Sequence, residues 1–211
     1  MKQFQRILIA LLLLASPNVV HAEETDEEPK KTIEFPSPDG QFAFRYSSTG
    51  SEEEDETQTY DLIEKASGKV VTKVAESDPD LGLSARFSME NVLWRPDSKA
   101  FALVAMLMRR GTSLSVFVRA GSTFREIKLP DLSVEIPEKA KKGKDFPHVT
   151  GLDSQRAKRW QKDGSLLVEI ETVVDGEGFS LTATRTVVLG FNHFDKAKVL
   201  KSTTKFAIEK Q

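Results

Sequence analysis

Apolar and polar residues alternate with period two along much of the chain, and that alternation predicts strands. Phe42, Phe44 and Tyr46 share one face of such a run, with Gln41, Ala43 and Arg45 on the other. Leu114, Val116 and Val118 oppose Ser115, Phe117 and Arg119, and Leu166, Val168 and Ile170 repeat the arrangement. Successive strand side chains point to opposite faces, so each run reads as a strand with one face on a core. Residues 101–108 (FALVAMLM) are apolar throughout. A buried helix or a strand covered on both faces satisfies that run, and its alternating neighbours favour the central strand. Short helices fit only residues 137–144 and 153–159.

The turns between these runs repeat. Phe35-Pro36-Ser37-Pro38-Asp39-Gly40-Gln41-Phe42, Leu93-Trp94-Arg95-Pro96-Asp97-Ser98-Lys99-Ala100 and Arg159-Trp160-Gln161-Lys162-Asp163-Gly164-Ser165-Leu166 share one form. Asp39, Asp97 and Asp163 lie 58 and 66 residues apart, each followed by Gly or Ser and then by a hydrophobic strand. The physics is that of a tight turn, in which the carboxylate accepts a bond from the backbone two residues on and Gly takes a positive φ. Downstream of each turn a hairpin is expected: Thr59–Lys65 turning at Ser67-Gly68, Leu114–Arg119 turning at Ala120-Gly121-Ser122, and Thr182–Leu189 turning near Asn192-His193. Each unit thus holds about four short strands, the composition of a propeller blade. The units cover about 32–75, 84–130 and 150–205.

The stretch Ser37-Pro38-Asp39-Gly40-Gln41-Phe42-Ala43-Phe44 resembles the repeat signature of Tol-B-like β-propellers. Trp94-Arg95-Pro96-Asp97-Ser98 is a second, degenerate copy, and Trp160-Gln161-Lys162-Asp163-Gly164 a third that lacks the proline. The resemblance implies blade-like antiparallel sheets and says little about activity. Blades usually take about 40–45 residues and closed rings need four to eight of them. Three units at wider spacing depart from that pattern. The expected fold is all-β, antiparallel and propeller-like, as stacked blade units; the alternative is a β-sandwich or barrel.

The first 22 residues change the picture of where this domain works. Lys2 and Arg6 precede a nine-residue apolar run, Ile7 to Ala15, and a helix-breaking Ser16-Pro17-Asn18 leads to Val20-His21-Ala22. That order reads as a signal peptide cleaved after Ala22, since small residues at the last and third-last positions suit signal peptidase. The apolar run falls short of the roughly 20 residues that span a bilayer. The expected product is periplasmic or secreted, with no membrane span after cleavage. Residues 23–31 contain no apolar side chain and are expected to be a disordered acidic leader, with 32–211 as one β-rich domain.

Charge and composition narrow the chemistry. The signal carries two of the 30 Lys/Arg and none of the 32 Asp/Glu, which leaves 28 cations against 32 anions, a net −4. Mild acidity argues against a nucleic-acid partner. With no cysteine in the chain, thiol chemistry and zinc–thiolate sites are excluded. His148 and His193 are the histidines left after cleavage, and no nucleophile-elbow or glycine-rich phosphate loop accompanies them. Asp78-Pro79-Asp80, Glu52 to Glu56 and Asp175-Gly176-Glu177-Gly178 offer oxygens without calcium-loop spacing; the last reads as a hairpin turn. No catalytic, cofactor or metal residue is assigned, and no cofactor is expected. Trp94 and Trp160 hold matching places in two units, as packing residues or as aromatics of a binding surface.

The expectation is therefore an exported, non-enzymatic interaction or scaffold domain whose partner is an envelope or secreted protein. An envelope or extracellular hydrolase, and a glycan- or calcium-binding module, are the alternatives. A homo-oligomer that pairs exposed strand edges is compatible with too few blades to close a ring.

Overall fold

The computed structural model describes residues 31–49, 57–76, 92–107, 111–149, 153–191 and 196–211. The signal, the leader up to residue 30, the Glu52–Glu56 run, Asp78 to Asp80 and the Asn192-His193 turn lie outside the described residues; Lys31, expected to end the leader, pairs with Ser48 as a strand residue. The described chain is all-β apart from one helical turn, α1 (Glu138–Lys141), inside the stretch expected to hold a short helix. Among the described residues no helix is long and apolar enough to cross a membrane.

The strands run β1 (Lys31–Pro36), β2 (Phe42–Thr49), β3 (Thr57–Glu64), β4 (Val70–Glu76), β5 (Val92–Trp94), β6 (Ala100–Leu107), β7 (Gly111–Ala120) and β8 (Thr123–Glu126). They continue as β9 (His148–Val149), β10 (Ser154–Trp160), β11 (Leu166–Gly176), β12 (Phe179–Phe191) and β13 (Ala197–Lys210). Antiparallel pairing makes three four-stranded meanders: β1-β2-β3-β4, β5-β6-β7-β8 and β10-β11-β12-β13. The second and third join into one sheet where β7 meets β10 in parallel, at Thr112 and Ser154. The Thr112 hydroxyl donates to the Gln155 carbonyl at 2.8 Å, and the Leu114 amide donates to Gln155 Oε1 at 3.1 Å. Both sheets are open among the described residues.

A strand at 154–160 corrects the helix expected over 153–159. Gln155, Arg156, Ala157 and Lys158 carry ordinary helix propensity, but propensity is a weak prior. Here the backbone pairs with β11 through six registered positions and with β7 on its other edge.

The meanders pack face to face in three layers. Phe42, Phe44, Tyr60 and Leu62 of the first meet Phe101, Leu103, Phe117 and Phe124 of the second in one cluster. Ala102, Val104, Leu114 and Val116 on the other face of the second meet Leu166, Val168, Ile170, Val187 and Leu189 of the third. Alternate residues of β6 therefore serve opposite layers, which is why its run is apolar at every position. Phe44 and Phe101 bridge the first two layers with ring centroids 6.3 Å apart, and Phe42 meets Phe124 edge-on at 5.3 Å. The segment after β8 wraps the third layer, sending Leu132 into the larger core and Phe146 onto Val174 and Leu181.

The two outermost faces are polar. On the first layer, Arg45 stands between Glu34 and Asp61 in register. On the third, Thr182, Thr184 and Thr186 of β12 line up with Val173, Glu171 and Glu169 of β11. Most apolar strand positions face the inside of the stack, while Val70 of the first meander and Val199, Leu200 and Phe206 of β13 stay exposed.

Candidate functional site

The three Asp turns fold by the same hydrogen bonds. Amides of Gln41, Lys99 and Ser165 each donate to the Oδ1 of the Asp two residues before, all at 3.0 Å. The amides of Gly40, Ser98 and Gly164 close the turns onto the carbonyls of Ser37, Arg95 and Gln161 at 2.9, 2.9 and 3.0 Å. Those same three residues take positive φ, at 69°, 58° and 80°. The outer bond runs from Ser37 to Phe42 and from Arg95 to Ala100, but from Gln161 to Ser165, so the third turn is one residue tighter.

Ser98 is the exception that needs a reason, because L side chains resist the left-handed region. Its hydroxyl accepts the Asp39 amide of the neighbouring turn at 3.0 Å, and the residue is only 1% exposed. The strain of the second turn is held by a bond that ties it to the first.

The tryptophans form a second chain of links. Trp94 donates its indole N–H to the Phe35 carbonyl at 3.1 Å, and Trp160 donates to the Leu93 carbonyl at 2.9 Å. Phe35 and Leu93 each stand four residues before their turn Asp, so the two bonds are equivalent from one layer to the next. Trp94 packs on Phe101 and Phe124, while Trp160 packs on Phe191 at 5.4 Å with the Arg95 guanidinium over its ring at 5.7 Å. Both indoles are half-buried, and Trp160 still forms one wall of an open pocket.

That end of the stack gathers cations. A pocket of 380 Å³ lies between the second and third layers, with Arg95, Lys99, Arg119 and Arg125 around an apolar floor of Val118 and Phe191. Strand pairing brings them together: Val118 faces Arg125 in register, and the Arg119 amide donates to the Lys99 carbonyl at 2.8 Å. A second pocket, 480 Å³, shares Arg95 and runs between the second and third turns to Lys162. A third, 540 Å³, shares Lys162 and ends at Arg159 and Trp160. The three adjoin as one track across the turn end.

The carboxylates beside this track are committed to their turns. For Asp39, burial opposes ionisation, but bonds from the Ser37 hydroxyl and Gln41 amide, with Arg119 nearby, hold its pKa below the ordinary 3.8. Burial also opposes ionisation of Asp97, and Arg95, whose Nε lies 2.7 Å from Oδ1, and the Lys99 amide outweigh it. Asp163 is lowered by the Ser165 hydroxyl and amide. Arg95 is itself fixed, with its side chain 20% exposed.

The other chemistry read from the sequence does not converge here. His148 sits exposed on β9, opposite Asp175 in register, and His193 lies outside the described residues. Glu177 and Gly178 form the β11–β12 turn, Asp175 and Gly176 close β11 beside it, and Asp175 accepts the Gln211 side-chain amide at 3.1 Å. Among the described residues no group of three or more His, Asp or Glu side chains gathers as metal ligands do. The sequence singled out Trp94 and Trp160 as packing or surface aromatics and marked the turns, and it missed the cationic track. Lys99, Arg119, Arg125 and Lys162 are scattered over more than sixty positions. The available signal was the basic residue flanking two of the three turn aspartates, at Arg95, Lys99 and Lys162.

No protein-family model, curated protein or solved structure matches this chain.

Proposed function

We propose that the chain is an exported, non-enzymatic interaction domain of propeller-like build, whose recognition surface is the turn end of a three-layer stack. The observation that carries the reading is the pair of equivalent indole bonds, Trp94 to Phe35 and Trp160 to Leu93. Equivalent contacts between successive layers are what stacked copies of one blade-like unit make. Polar outer faces suit an open stack of three units rather than a segment of a ring. A rigid β frame that presents turns and pockets at one end is the usual build of a binding scaffold, because loops carry recognition while strands hold them in place. The export signal at residues 1–22 sets the partner's compartment as the envelope or the medium.

The test is site-specific photocrosslinking in cells that export the full chain. A crosslinker at Lys99, on the track, should give one discrete adduct with an exported protein. The same group at Glu177, in the turn at the opposite end of β11, should give none. Equal labelling from both positions, or no adduct from Lys99, would overturn the assignment of the surface. A cell-retained chain with an intact N-terminus would overturn export.

A further inference from the structure

The cationic track also defines what it would hold, and this step rests on the reading of the turn end as a recognition surface. We infer that the track takes an extended segment of a partner protein in which acidic and apolar residues alternate. The three pockets share walls, at Arg95 between the first and second and at Lys162 between the second and third. A ligand spanning them is elongated, not a single small anion. Six cations line the track, and its two wall carboxylates, Asp97 and Asp163, are bonded within their own turns. This positive strip lies on a chain of net charge −2. Local attraction within an overall negative field suits a short acidic segment and disfavours a long uniform polyanion.

The apolar surfaces give the second half of the ligand's chemistry. Val118 and Phe191 floor the first pocket, and Trp160 walls the third. Successive side chains of an extended peptide project to opposite sides about every 3.3 Å, so alternation would set carboxylates on the basic rim and apolar groups on the floor. Arg95 is pre-organised for the central carboxylate, since Asp97 and the Trp160 ring already fix its guanidinium, and a fixed fork loses little freedom on binding.

The experiment is fluorescence anisotropy with a labelled ten-residue peptide alternating glutamate and leucine, at low and at physiological salt. Saturable binding is expected, weakening with salt, and at least tenfold weaker in Lys99→Glu and in Lys162→Glu. Both side chains are exposed, so both variants should melt like the parent. Lys201→Glu, on β13 away from the track, should bind like the parent. Equal losses in all three variants would mean general charge attraction and would sink the site. An all-glutamate peptide or a sulfated polysaccharide binding as tightly as the alternating peptide would sink the peptide assignment. In that last case the photocrosslink from Lys99 can still succeed, so the two readings fail separately.

Discussion

β6 and β13 belong to the same hydrogen-bonded sheet, and they live in opposite environments. β6 has a strand on each edge and a packed layer on each face. β13 has β12 on one edge, and beyond Ala197 its residues are exposed but for a half-buried Ile208. Phe101 is fully buried, whereas Phe206 is 38% exposed. Their compositions follow: β6 is apolar at every position, and β13 carries Lys198, Lys201, Lys205 and Lys210. Position in the stack, more than strand-forming tendency, decides which residues a strand needs. Stability should therefore concentrate in the middle layer and fade toward the open edge.

Truncation is the harshest way to break that comparison. Phe101→Ala removes a ring stacked on Phe117 at 4.8 Å and in contact with Trp94, Phe44 and Phe124. It should cost about 3–5 kcal/mol by urea unfolding, the usual range for a buried Phe. Phe206→Ala should cost under about 1 kcal/mol, because much of that ring is already in water. Similar losses at the two sites would mean that β13 is covered in solution.

The joint between layers is the next point to press. Ser98→Ala keeps the left-handed turn but leaves the Asp39 amide without its acceptor, and should cost about 1–2 kcal/mol. Ser98→Gly loses the same bond but relaxes the backbone, so it should cost less than the alanine variant. If glycine proves the worse of the two, the conformational strain assigned to Ser98 is wrong.

Much of this frame was legible in the sequence, for reasons that particular residues make clear. The apolar run Phe101 to Met108 fitted a buried helix or a doubly covered strand, and its alternating neighbours favoured the strand, which the structure describes as far as Leu107. Asp39, Asp97 and Asp163 announced their turns because Asx bonding and a positive-φ residue are local chemistry. β10 was misread because Gln155 to Arg159 has no apolar alternation; its strand state comes from partners on both edges, which no local pattern encodes. Beyond the basic residues beside the turn aspartates, the cationic track was hidden for the same reason. Arg119 and Arg125 are joined by a hairpin, Lys99 by the next strand, and Phe191 by the packing of a different layer.

Acid should loosen the turns before it reaches the hydrophobic layers. Asp39, Asp97 and Asp163 are all more acidic in the folded chain than the ordinary 3.8. A depressed folded pKa means that the stabilisation is fully present above the unfolded value and is lost as pH falls through the folded one. The melting temperature should thus hold level from pH 7 to about 5, then fall below about 4. Asp97→Asn should flatten part of that fall. An acid limb unchanged by Asp39→Asn, Asp97→Asn and Asp163→Asn together would place the titrating groups elsewhere.

The gentlest test sits at the open edge. A long unpaired strand offers amides and carbonyls to any other strand, and lysines on it oppose such pairing through repulsion and hydration. Lys201 and Lys205 lie in register with Val188 and Thr184, on the polar outer face of the third layer. Replacing both with valine breaks no ion pair seen among the described residues and should move unfolding free energy by less than about 0.5 kcal/mol, in the range of ordinary surface changes. What should change is association. The double variant should grow in mass with concentration by light scattering, while the parent stays at one mass over the same range. The two measurements separate two kinds of exposure: an edge that contributes little to folding and an edge that is guarded against pairing. A variant that keeps the parent's mass would show that β13 is protected by its twist or its length, and that its lysines answer to solubility alone.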